Sequence, residues 1–140
     1  MCVIYNINSG NQLDENIKLP DILYVEDDEI GREIVVLFLK GKYNVDLAGN
    51  SDEALSNLSK KGYSAILLDI NLGRGLSGVE LVKEIRKLPK YDRVPIIAVT
   101  AYTMREDQIN FLNSGCTHYI SKPFNRKALV GILEDALPNY

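Results

Sequence analysis

The chain has 140 residues, 46% of them hydrophobic and 25% charged, with a formal net charge of −3. This length and balance suit one domain with a continuous core and exclude a largely disordered chain. The negative charge, with no block of basic residues to override it locally, argues against nonspecific nucleic-acid binding and leaves a protein or a small anion as the expected partner.

Residues 1–20 read as a separate flexible extension: the stretch is Asn-rich, contains Ser9-Gly10-Asn11, and is closed by Pro20. The alternating run Val3 to Ile7 offers a marginal alternative, an added strand. No basic n-region or long apolar run begins the chain, so neither a signal peptide nor a membrane span is indicated. Cys2 and Cys116 lack the spacing of a metal site or a disulfide framework, and reduced thiols in a cytoplasm are the default.

From Asp21 onward, short apolar runs alternate with amphipathic segments, the pattern of βα units and a parallel sheet; five such units are present. The folded domain is expected over residues 21–140. The first strand runs into Glu26-Asp27, and a helix from about Asp28 to Lys40 follows, with Ile30, Ile34, Leu37 and Phe38 expected on its buried side. Asn44 to Ala48 is the second strand. Ser51 is the expected N-cap of the next helix, which ends at Lys60-Lys61-Gly62. The third strand is Ala65 to Asp69, and Ser77 with Glu80 forms a capping-box pattern opening a helix that Pro89 closes. Ile96 to Thr100 is the fourth strand, followed by a second capping-box pattern at Thr103 and Glu106 and a helix ended by Gly115. Thr117 to Ser121 is the fifth strand, and the last helix begins near Asn125 with Leu129, Ile132, Leu133 and Leu137 on one face.

The strands end in residues suited to phosphoryl chemistry, and parallel strands bring those ends to one sheet edge, where open α/β folds hold their ligands. Asp69 ends an apolar strand and can be a nucleophile there. Glu26 and Asp27 from another strand would put three acids in one site, a crowding that needs a cation. All-oxygen ligands favour a hard ion, Mg2+ first and Mn2+ as a substitute. Lys122 supplies a flexible point charge for a phosphoryl oxygen, and the Thr100 hydroxyl with the Ala101 backbone N–H can donate to the others. Each residue alone has a plainer reading: the acids favour a helix N-terminus, Asp69 caps a turn, Thr100 fills a strand end, Lys122 is solvated and Tyr119 is core or rim. The functional reading rests on their conjunction. His118, the single histidine, is given no catalytic role.

The ordered set Glu26-Asp27-Asp28, Asp69 with Asn71, Thr100-Ala101, and Tyr119 with Lys122-Pro123-Phe124 resembles the receiver domains of two-component response regulators over roughly Asp21 to Leu137. The resemblance implies a flavodoxin-like, doubly wound five-stranded parallel sheet of order 2-1-3-4-5 with five helices. It also implies that Asp69 accepts phosphate from a phosphohistidine on a histidine kinase or histidine phosphotransfer protein. Asp27, Asp69 and the main-chain carbonyl of Asn71 would bind Mg2+ directly, with Glu26 acting through water. Thr100 and Lys122 would contact the phosphoryl group, Tyr119 would change rotamer with it, and the Lys122-Pro123 peptide would be cis. The domain would then be a self-phosphorylating switch rather than an enzyme with a separate substrate. Its downstream protein target would meet the last two helices and the fifth strand, with Tyr102, Ile109, Tyr119 and Phe124 as candidate contacts and no direct contact with nucleic acid or membrane.

The chain departs from the family pattern in the loop Ile70 to Ser77, which is longer than usual and lacks the common proline. Tyr102 stands where a side chain can overhang the site, and is expected to shield the aspartyl phosphate from water. A haloacid-dehalogenase-type phosphatase is the chief alternative, but it needs a second aspartate where this chain has Asn71. A nucleotide-binding module lacks its glycine-rich phosphate loop, and a silent receiver-shaped scaffold would ordinarily have lost the acceptor or the lysine. The run Ala98 to Met104 resembles both stand-alone and hybrid-kinase receivers; the chain's own start and extension favour the former.

Overall fold

The computed structural model describes residues 18–73, 75–101 and 104–138. The expected extension, apart from Lys18 to Pro20, lies outside the described residues, as do Tyr102 and Thr103. In chain order the elements are β1 (Asp21–Val25), α1 (Glu29–Leu39), β2 (Asn44–Ala48), α2 (Ser51–Lys60), β3 (Ala65–Asp69), α3 (Gly78–Arg86), β4 (Ile96–Thr100), α4 (Arg105–Ser114), β5 (His118–Ser121) and α5 (Arg126–Ala136), with a 3-10 turn at Pro89–Tyr91. The strands form one sheet in the order β2-β1-β3-β4-β5, and every pairing is parallel. All residues of β3 and β4 are buried, which is why these strands read as unbroken apolar runs: a parallel strand covered on both faces has no wet side.

Alternation along the strands divides the core in two. Leu23, Val25, Ile66, Leu68, Ile96 and Ala98 pack with Ala54 and Leu58 of α2, Leu81, Val82 and Ile85 of α3, and Phe111 of α4. On the opposite face, Ile22, Tyr24, Leu67, Ile97, Val99 and Ile120 pack with Val35 and Leu39 of α1 and Leu129 and Leu133 of α5. The strand order reverses at β1, so the C-terminal ends of β1 and β3 flank the crevice in which such sheets bind ligands.

Two local expectations are corrected. In α1 the buried residues are Val35 and Leu39, with Phe38 half-buried, whereas Ile30, Ile34 and Leu37 are exposed. The run Ile34 to Leu39 is apolar throughout and specifies no face. Contact with the sheet decides: a Cβ on Gly31 would lie 3.0 Å from Glu26 Oε1, so Gly31 faces inward, and Val35, Phe38 and Leu39 follow it at helical spacing. In α2 the N-cap is Asn50, whose side chain accepts from Glu53 N at 2.9 Å. Ser51 is instead buried, and its hydroxyl accepts from Leu76 N at 3.0 Å, tying the β3–α3 loop to α2. The N-cap of α4 is Met104, which makes no side-chain cap bond; the capping-box pattern expected at Thr103 and Glu106 rests on Thr103, outside the described residues. The capping box expected at Ser77 and Glu80 is present in full.

Arg86 fastens the far end of this core. Its guanidinium donates to the carbonyls of Gly115 (2.9 and 2.6 Å), Tyr91 (2.8 Å) and Val94 (2.7 Å), joining the end of α3 to the loops before β4 and β5. Truncation strands three partly buried acceptors. Arg86→Ala is expected to lower stability by about 2 kcal/mol, read as a reduced urea midpoint with an unchanged slope.

Candidate functional site

The period-two rule of a strand carries the buried pattern past the strand ends and selects the site. Glu26 continues the face of Tyr24, Asp69 that of Leu67, and Lys122 that of Ile120, all on the side covered by α1 and α5. These three side chains meet. Lys122 Nζ donates to Glu26 Oε1 at 2.9 Å and to Asp69 Oδ2 at 3.3 Å. Glu26 is 1% exposed and Asp69 4%, so two carboxylates are held almost out of water by one ammonium. Asp27, exposed at the rim, completes an acidic cluster in which one oxygen each from Glu26, Asp27 and Asp69 lies within 4.8 Å of the others.

Each acid also has a neutral tether. Asp69 Oδ1 accepts from Asn71 N at 3.0 Å, and Asp27 Oδ2 from Gly73 N at 3.1 Å. Tyr24, fully buried below, donates its hydroxyl to Glu26 Oε1 at 3.0 Å. Asp28 takes no part in the cluster: its carboxylate caps α1, accepting from Gly31 N at 2.8 Å. The plainer readings of Asp28 as a helix cap and of Asp69 as a turn residue are therefore both correct. For Asp69 the turn uses one oxygen and leaves the other facing Lys122.

Burial pushes the Glu26 carboxyl above the ordinary range, and the nearby Asp69 adds to this while Lys122 opposes it. Burial works to lower the Lys122 ammonium, but its contacts with Glu26 and Asp69 outweigh that and leave it raised. The Tyr24 phenol is pushed up by burial and then by the charge of Glu26. The donor set is entirely oxygen, with no thiolate or imidazole, which fits a hard divalent cation. A cavity of about 320 Å3 lined by Asp27, Gly49, Asn50 and Gly73 opens beside the cluster.

Thr100 is buried at the end of β4, with its carbonyl accepting from Lys122 N at 2.8 Å, and Ala101 is exposed just beyond. Tyr119 is half-buried against the α2–α4 side of the core, paired across the sheet with Ala98. The Lys122-Pro123 peptide is cis. Ile109 is half exposed on α4, but Phe124 packs edge to face on Phe38 with ring centres 6.4 Å apart. Sequence reasoning missed Tyr24, although its position two residues before Glu26 marks the shared face. It also missed Gly73, for which no pattern gives a signal.

Residues 22–134 match the response regulator receiver domain family, and the chain belongs to that family. Over 122 residues it is 36% identical to an NtrX-like response regulator of Rickettsia bellii, covering 86% of this chain and 25% of that protein. The chain thus spans about a quarter of the length of that relative. Among solved structures it is similar to the Vibrio cholerae chemotaxis protein CheY4, with a TM-score of 0.82, 30% identity, and coverage of 86% of this chain and 100% of that one. It is also similar to the receiver domain of sensor histidine kinase PA1611 from Pseudomonas aeruginosa PAO1, with a TM-score of 0.79, 33% identity, and coverage of 87% and 100%. The PA1611 structure has a magnesium ion coordinated in its active-site cleft.

Because the folded state raises the Glu26 carboxyl above its unfolded value, stability falls as pH rises between the two values, and the penalty is full above the folded one. Glu26→Gln, which removes this titration, is therefore expected to gain stability relative to the metal-free wild type as pH rises toward neutral. Paired thermal unfolding at several pH values checks this: the advantage should vanish toward acid.

Proposed function

We propose that this receiver domain, running from Asp21 with residues 1–20 as an extension, is the phosphoacceptor of a two-component phosphorelay. In this reading Asp69 takes a phosphoryl group from a phosphohistidine on a histidine kinase or histidine phosphotransfer protein. The observation that carries the proposal is the Lys122 ammonium bonded to both Glu26 and Asp69 beside Asp27. Acids able to hold a divalent cation around a carboxylate nucleophile, with a lysine ammonium in reach, supply the positioning and charge stabilisation on which phosphoryl transfer rests.

Asp27, Asp69 and the Asn71 carbonyl would hold a divalent cation, with Glu26 reaching it through water. Magnesium bound there supplies positive charge to the carboxylates and the phosphoryl oxygens, and manganese suits the same donors. An Asp69 oxygen attacks phosphorus, a P–O bond forms as the P–N bond breaks, and the electron pair stays with the departing imidazole. Lys122 turns from the carboxylates to a phosphoryl oxygen, while the Thr100 hydroxyl and Ala101 N–H donate to the others. Small donors such as acetyl phosphate should serve as well.

Thr100 drawn toward the phosphoryl group would vacate space for Tyr119, shifting an existing equilibrium on the face of α4, β5 and α5 that meets a protein target. Thr100 and Tyr119 lie diagonally on adjacent strands, since Ala98 pairs with Tyr119 and Thr100 with Ser121. The chain catalyses only its own phosphorylation and dephosphorylation in this account, in a cytoplasmic setting. A haloacid-dehalogenase-type reaction is disfavoured because Asn71 occupies the position of its general acid and cannot donate or take up a proton there.

Asp69→Asn keeps the shape of the side chain and removes the nucleophile. Incubation with radiolabelled acetyl phosphate and Mg2+ should label the wild type and leave the variant unlabelled; wild-type labelling of the Asp69→Asn protein would mean that another residue accepts the phosphoryl group.

A further inference from the structure

We propose that Tyr24 is a positioning residue for the phosphorylated state: its buried hydroxyl keeps Glu26 in place when Lys122 leaves that carboxylate for the phosphoryl group. The inference rests on the phosphoacceptor reading above and adds to it a residue outside the acidic cluster.

Tyr24 is 1% exposed on β1, between β2 and β3, within the cluster formed by Val35, Leu39, Leu67, Ile97 and their neighbours. The hydroxyl is an added polar group that must find a partner in the core, and its partner is Glu26 Oε1 at 3.0 Å. Lys122 Nζ donates to the same oxygen at 2.9 Å. The second oxygen of Glu26 is bonded to Asp28 N, at the longer distance of 3.4 Å.

In the free protein the two donors on Oε1 are therefore redundant. Transfer of Lys122 to a phosphoryl oxygen ends the redundancy: Oε1 of a carboxylate that is 1% exposed keeps only the Tyr24 hydroxyl of its two donors, while Asp28 N stays on Oε2. Gly31 of α1 lies over this oxygen and brings no side-chain donor to it, and a Cβ there would already be 3.0 Å away. An unpaired buried carboxylate oxygen is costly, so loss of the hydroxyl penalises the state in which Lys122 has moved, and not the state in which it has not.

Tyr24→Phe separates these states. Mg2+ alone, followed by calorimetry, probes the site with Lys122 still on the carboxylates; beryllofluoride with Mg2+, followed by fluorine NMR, probes it with a phosphoryl mimic on Asp69. The expected result is an unfolding midpoint close to wild type, Mg2+ affinity within about twofold, and beryllofluoride affinity reduced about tenfold. Unchanged beryllofluoride affinity overturns the proposal, and so does a parallel loss of Mg2+ affinity, beryllofluoride affinity and midpoint, which is what a merely structural hydroxyl gives. Wild-type protein that binds Mg2+ but no beryllofluoride overturns the phosphoacceptor reading itself, and this inference with it.

Discussion

Two carboxylates cannot share a nearly dry sheet edge unless something positive stands between them, and here that is the ammonium of Lys122. Glu26 and Asp69 arrive from β1 and β3, neighbours in the sheet, so the fold itself presses like charges together. Lys122 arrives from β5, with β4 intervening, and reaches both acids at 2.9 and 3.3 Å. A long flexible stem carrying a point charge suits this task better than a guanidinium fork, which would favour one fixed bidentate partner. In the proposed reaction the ion pair is a placeholder to be exchanged, and burial with the nearby Asp69 keeps the Glu26 carboxyl raised in spite of it.

The remaining tethers make that exchange practicable. Asn71 N holds one oxygen of Asp69, Gly73 N one of Asp27, and the Tyr24 hydroxyl one of Glu26. Each acid therefore keeps a neutral partner whatever the cation does. A site assembled this way would have its ligands oriented before the proposed metal or phosphoryl group arrived, which lowers the ordering cost on binding. Ser51 extends the same logic outward, since its hydroxyl secures Leu76 N in the long loop that supplies Asn71 and Gly73.

What was legible in the sequence divides along physical lines. Strands β3 and β4 were readable residue for residue, because buried parallel strands are apolar runs with sharp polar ends. Strand ends also announced Glu26, Asp69 and Lys122, whose meeting follows from parallel pairing and period-two alternation. The tethers were not legible. Gly73 acts through a backbone N–H, which leaves no mark on residue type, and Ser51 looked like an N-cap because Asn50-Ser51 offers two competent caps in succession. Only the packing of the loop onto α2 shows that Asn50 takes the helix and Ser51 takes the loop.

The rotation of α1 is the same kind of decision made by small terms. Val35, Val36, Leu37, Phe38 and Leu39 surround the helix with apolar surface, so burying one stripe forgoes another of similar area. Each aliphatic side chain buried is worth about 1.5–3 kcal/mol, yet the difference between two such stripes is close to nothing, and hydrophobicity casts no deciding vote. Weaker constraints then choose. Asp28 caps the helix at Gly31 N, and Gly31 must face Glu26 because any larger residue would crowd Oε1. Once Gly31 is turned inward, Val35, Phe38 and Leu39 go with it, while Ile30, Ile34 and Leu37 are left toward solvent. The helix takes its orientation from the acidic site it begins beside, and its exposed aliphatic stripe is a consequence of how closely the backbone must approach one buried carboxylate.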